Sequence, residues 1–146
     1  SSLNGPVLAI NKEPGEQVGW PELTATVAGA WQAIPADRRA TSVIVTSNYG
    51  QAGAIGHYGP ALGLPKPYSG HMSYADWGPP PDSMTGAVLV VGGQPMQSPL
   101  LTECRVVARN DNGIGLENEE QGTAITLCSG TTAPWSAIWP RMRRFY

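Results

Sequence analysis

Two stretches of the chain are apolar at nearly every position, and others are apolar only at helical spacing. Ser42-Val43-Ile44-Val45-Thr46 and Ala87-Val88-Leu89-Val90-Val91 carry no in–out alternation. Unbroken β-branched runs of this kind are predicted to be strands covered on both faces, and hence adjacent central strands of one sheet. Between Pro21 and Pro35, Leu23, Val27, Trp31 and Ile34 share one face of a predicted helix. Pro21 in the first turn and Glu22 near the positive end of the dipole favour its start, and Pro35 ends it. Asn48 is placed to cap a second helix carrying Ile55, Tyr58 and Leu62.

The remaining segments are shorter. Val7-Leu8-Ala9-Ile10 reads as a buried strand running into a turn-rich segment from Asn11 to Gly19. Pro67-Tyr68-Ser69 reads as extended and leads into a long loop from Gly70 to Ser83. After Gly92-Gly93, Ser98 followed by Pro99 predicts a short helix opening there. Val106 to Arg109 and Ala124 to Leu127 supply two more strands, separated by the polar loop Asn110 to Gly122. Strands alternating with helices predict an α/β fold: a single small domain with a mostly parallel, helix-covered, Rossmann-like sheet and an antiparallel edge.

Length and charge narrow the reading. With 146 residues there is enough chain for one core and too little for two. Only 14% of residues are charged and the net charge is −2, so there is no basic field to condense on a phosphate backbone, and nucleic acid is not an expected partner. Glycine and proline together exceed a fifth of the chain, but they punctuate apolar runs instead of forming tracts, as in a loop-rich globular domain. No apolar run approaches the roughly 18 residues of a spanning helix and no segment reads as a signal peptide, so the fragment itself is expected to be soluble.

Cys104 and Cys128 are too far apart for a zinc knuckle or redox pair, and no histidine lies near either in sequence, so no metal site is expected. Each borders a predicted strand, and neighbouring strands bring such residues within bridging distance. A disulfide would fit an extracytoplasmic compartment; two buried free thiols remain the alternative.

Polar chemistry gathers in the loops. Ser47, Asn48, Tyr49 and Gln51 follow one predicted strand, and Ser69 and His71 follow another, with Tyr74 and Trp77 close behind. Ligands of open α/β sheets bind beyond the carboxyl ends of the strands, so these two loops are expected to face each other across a crevice. Amides and hydroxyls suit sugar hydroxyls, and an aromatic ring stacks on a pyranose face. The same residues also have a structural use, since Asn48 caps a helix and the aromatics close a core. His71 with Asp76 is the one pairing that resembles a base and its orienting carboxylate, but no G-x-S-x-G elbow accompanies it. Gly50, Gly53, Gly56, Gly59 and Gly63 do not form a dinucleotide fingerprint, and no cofactor is expected. Asp111, Glu117, Glu119 and Glu120 make the most acidic segment; Asn110-Asp111-Asn112-Gly113 gives only a fragment of a calcium loop, and the segment reads as solvated. Trp135 and Trp139 either pack one face of a terminal turn on the core or sit at a membrane interface, with Arg141, Arg143 and Arg144 toward lipid headgroups.

The segments Gly15 to Pro21, Asn48 to Ile55, Ser69 to Pro80, Asn118 to Gly122 and Pro134 to Pro140 together resemble the C-terminal soluble region of bacterial membrane glycosyltransferases of family 39. These are relatives of the protein O-mannosyltransferases that use lipid-linked sugars. The resemblance runs from about Val7 to Arg144. It implies an accessory domain on the extracytoplasmic side of the cell membrane, attached to transmembrane helices upstream of Ser1. The family's catalytic acidic residues sit in loops among those helices, and nothing in this chain matches them. The implied partners are the protein's own transmembrane part and a glycan or polyprenyl-phosphate-sugar acceptor system. Two other readings stand beside it: a free-standing small hydrolase using His71 in a pocket shared with Asn48 and Gln51, and a purely structural interaction domain.

Overall fold

A computed structural model describes residues 19–69, 78–110 and 122–145. The predicted strand Val7 to Ile10 lies outside the described residues, as do His71, Tyr74, Asp76, Trp77 and the acidic segment containing Asp111, Glu117, Glu119 and Glu120.

Within the described residues, helices α1 (Trp20–Gln32) and α2 (Ala36–Arg39) precede β1 (Val43–Thr46), which is followed by α3 (Tyr49–Tyr58) and β2 (Tyr68–Ser69). Strands β3 (Val88–Val91), β4 (Leu101–Thr102), β5 (Arg105–Asn110), β6 (Thr123–Cys128) and β7 (Gly130–Thr131) lead to α4 (Trp135–Phe145). The main sheet has five strands in the order β2-β1-β3-β6-β5, and β4 and β7 form a separate antiparallel pair. β2, β1 and β3 are parallel neighbours; β6 runs against both β3 and β5. The chain is therefore α/β, with a parallel half and an antiparallel half, and β1 and β3 are adjacent interior strands as their apolar runs predicted.

Every residue of β1 and β3 is buried. In register, Val43 and Val45 lie beside Val88 and Val90, while Ile44 lies beside Leu89. The valines belong to one cluster with Trp135, Ile138, Trp139 and Met142 of α4. Ile44, Leu89 and Val91 belong to another with Leu23, Val27 and Trp31 of α1 and Ile55 of α3. The sheet is thus a middle layer with helices on both faces. Ser42 ties β1 to β3 at their amino ends: its hydroxyl donates to the Arg38 carbonyl at 2.7 Å and accepts the Ala87 N–H at 2.9 Å.

α1 follows the predicted stripe. Gly19 enters it with φ of 100°, and Ile34, just past the helix, is 3% exposed. In α3 the stripe stops early: Tyr58 ends the helix, a 3-10 turn spans Pro60–Leu62, and Leu62 is 41% exposed while Leu64 takes the buried place. The helix predicted to open at Ser98 is not there. Pro95 instead opens a 3-10 turn that ends at Gln97, and the Ser98 hydroxyl accepts the Leu100 N–H at 3.1 Å as the chain enters β4.

At the C-terminus, α4 is an eleven-residue helix with Pro140 inside it. An interior proline costs about 3 kcal/mol. Trp135, Ile138, Trp139 and Met142 are all at most 4% exposed, and burying each contributes roughly 1.5–3 kcal/mol, which outweighs that cost. The two indoles are therefore core and not available to a membrane interface. The Trp135 indole donates to the Met84 carbonyl at 2.9 Å. Trp139 Nε1 has no acceptor among the described residues, and its ring packs edge-on to Tyr68 and Trp135. Asp82 caps α4 from a distant loop, accepting the Ser136 N–H and hydroxyl, each at 2.8 Å.

Cys104 and Cys128 are joined as a disulfide across the antiparallel ribbon. Among the described residues no helix is long and apolar enough to cross a membrane.

Two outcomes are expected. Replacing both cysteines by alanine opens a link between residues 24 apart in sequence and should lower unfolding stability by roughly 3 kcal/mol, read from urea midpoints; an unchanged midpoint contradicts it. The Ser136 backbone N–H, and then its hydroxyl, hold the Asp82 carboxyl below its ordinary pKa. A lowered folded-state pKa gives stability that is fully present above the unfolded value and is lost as pH falls through the folded one. As pH falls through and below the ordinary carboxylate range, Asp82→Asn should flatten part of the acid-side fall in melting temperature. An identical pH profile for the variant would show that the cap carries no such linkage.

Candidate functional site

The carboxyl ends of β1, β2 and β3 lie along one edge of the sheet, because the three strands are parallel and in register, with Thr46 beside both Ser69 and Val91. α3 carries the chain from β1 to β2 on one side, whereas β3 is followed by strands on the other side. The chain therefore leaves β1 and β3 toward opposite ends of the strand order, the topology beside which open α/β sheets bind ligands.

The loop after β1 is tightly organised. Asn48 accepts the Gln51 N–H on its side-chain oxygen at 2.8 Å. Gln51 Oε1 reaches back to accept the Ser47 N–H at 3.0 Å, the Ser47 hydroxyl at 2.8 Å and the Asn48 N–H at 3.3 Å. This reciprocal pair is a capping box, which satisfies donors that the start of a helix leaves open. Thr46, fully buried, adds a hydroxyl bond to the Asn48 carbonyl at 3.0 Å. The Ser47 N–H continues the ladder to the Val91 carbonyl at 3.0 Å.

Gly92 closes the other side. Its φ is +75°, and a Cβ there would fall 2.5 Å from Ser47 Oγ and 2.9 Å from Gln51 Nε2. The two loops approach each other this closely only because the position has no side chain. Gly93 follows with φ of 65°. Beyond it Met96 is 61% exposed, and across the edge Tyr49 is 50% exposed.

Of the residues singled out by sequence, Asn48, Tyr49, Gln51 and Ser69 are brought to this edge. Asn48 and Gln51 are committed to the helix start, and Ser69 is buried. Among the described residues, Tyr49 is the aromatic that reaches solvent there. His71, Tyr74 and Trp77 lie outside the described residues. Sequence reasoning placed Ser47 in this loop but gave Gly92 no part in it, although Gly92-Gly93 directly after a buried strand is the signal of a close approach. It also weighed Asn48 without its partner: Asn48 and Gln51, three apart, form the sequence signature of a capping box.

Among the described residues no group of three or more His, Cys, Asp or Glu side chains is gathered as a metal site would require. His57, the histidine on α3, is exposed and packs edge-on to Tyr58. No family model matches the chain, and it has no match among the curated proteins or the solved structures.

Gly92→Ala is expected to destabilise the fold by about 1–3 kcal/mol, since it combines a strained φ with a clash on Ser47 and Gln51. Gly29→Ala, in open space within α1, serves as the control and should be neutral or stabilising. Equal urea midpoints for the two variants would mean that the loops are not held together as described.

Proposed function

We propose that this chain is an extracytoplasmic accessory domain of a family 39-like membrane glycosyltransferase. In this reading the parallel half of the sheet is used in a Rossmann-like manner, with the edge beyond β1 and β3 meeting an acceptor, a glycan or the enzyme's own membrane part. The sequence resemblance names the enzyme class. The observation that carries the binding role is Tyr49, a half-exposed ring standing at the carboxyl end of a central parallel strand, on a helix start rigidified by Asn48 and Gln51. Aromatic faces at rigid positions suit the CH face of a pyranose. The disulfide supports an oxidising compartment. Polyprenyl-phosphate sugar would be handled by the membrane part, and transfer would take place there.

A structural interaction domain is the second reading, favoured by Asn48 and Gln51 being spent on their own backbone. The two readings separate at Tyr49. In the full-length membrane protein, Tyr49→Ala should lower sugar transfer by up to about tenfold, the scale of one aromatic contact, while the melting temperature of the domain barely moves. Unchanged transfer with an intact fold favours the structural reading. The isolated domain should transfer no sugar from a polyprenyl-phosphate donor. Turnover by it alone would refute the accessory role and make His71 the residue to examine.

A further inference from the structure

The disulfide lies where the antiparallel ribbon passes from the small sheet into the large one. On one side of it Leu101 pairs with Thr131 and Thr102 with Gly130; on the other, Arg105 pairs with Leu127 and Val106 with Thr126. The junction is clamped by backbone and hydroxyl bonds. The Ser129 N–H donates to the Thr102 carbonyl at 2.8 Å, the two hydroxyls of Thr102 and Ser129 are 2.8 Å apart, and Arg38 donates to the Ser129 carbonyl at 2.6 Å.

The two sulfurs have different surroundings. Cys128 is fully buried, in the cluster formed by Val43, Val45, Val88 and Val90 of the sheet and Trp135, Ile138, Trp139 and Met142 of α4. Cys104 is only partly buried and packs at the margin of that cluster. A thiolate approaching from solvent therefore meets Cys104 first. Exchange there forms a bond between the reductant sulfur and Cys104, breaks the S–S bond and expels Cys128 as a thiolate. The second thiol of a dithiol reductant then displaces Cys104, and the dithiol leaves as a disulfide, having given up two electrons. A thiolate released among aliphatic and aromatic side chains is poorly stabilised, which makes Cys128 a poor leaving group. Attack on Cys128 itself is closed by burial. Both obstacles come from the layer that includes α4. α1 and α3 pack in the cluster on the opposite face, which includes neither cysteine.

We infer that α4 is the gate of the Cys104–Cys128 disulfide: the covalent state of the pair changes only when the C-terminal helix lifts from the sheet. Local opening of one helix is a lower-energy event than global unfolding. The fold thus contains a redox-sensitive device whose access is set by the docking of α4. The inference stands on packing alone and is independent of the glycosyltransferase reading.

The test is the rate at which dithiothreitol reduces the oxidised chain, followed by alkylation and mass, in Met142→Ala and in Leu23→Ala. Both sites are fully buried, one under α4 and one under α1, and the loss of global stability in each is measured by urea. Met142→Ala should be reduced about tenfold or more faster than Leu23→Ala once global stability is matched, with a weak dependence on urea. Equal acceleration with a steep urea dependence would mean that reduction passes through global unfolding, and reduction of the native chain at the rate of an exposed disulfide would mean that there is no gate; either overturns the inference. If an alanine variant fails to fold, Ile138→Val against Val27→Ala makes the same comparison with smaller cavities.

Discussion

The parallel pair β1–β3 has to be covered on both faces, and the rest of the structure follows from that. A strand whose every side chain is apolar has no face to give to water, and parallel neighbours cannot be joined by a short hairpin. Val43, Val45, Val88 and Val90 demand one cover, and Ile44, Leu89 and Val91 demand another. α1 and α3 provide the second and α4 the first. The backbone edges of the pair need partners as well, which β2 and β6 provide.

The two covers are built differently. α1 and α3 have ordinary helix starts, with Pro21 in the first turn of one and a capping box on the other. α4 is intrinsically poorer because of Pro140, and it is held by what it touches: four buried side chains, the Trp135 bond to Met84 and the Asp82 cap. Its stability as a helix is tertiary, not local. The disulfide enters this same layer through Cys128, so the covalent link and the weaker helix are parts of one cluster.

Much of the fold was legible where a single physical signal dominated. The β1 and β3 runs admit only a doubly covered strand, and the Leu23, Val27, Trp31 stripe admits only an amphipathic helix. Reading failed where two signals competed. Ser98-Pro99 has the form of a helix start, yet Pro95 had already opened a turn and Leu101 was needed to pair with Thr131. Pro140 made a full helix look like a terminal turn. β4 and β7, two residues each, carry no periodicity to read. At the candidate site the ambiguity was chemical: an asparagine that caps a helix and one that binds a sugar offer the same amide. Only the three bonds accepted by Gln51 and the close approach of Gly92 separate scaffold from surface and leave Tyr49, among the described residues, as the aromatic presented outward.

The central claim is that the β1–β3 pair is the last part of the molecule to come apart. Native-state hydrogen exchange tests it directly. The amides of Ile44, Val45, Leu89 and Val90 should exchange most slowly, with an opening free energy equal to that of global unfolding, while those of α4 and of the β4–β7 pair exchange through smaller openings. If the β5–β6 ribbon is instead the most protected element and the β1–β3 amides exchange well below the global value, the organising core lies in the antiparallel half and this account is wrong.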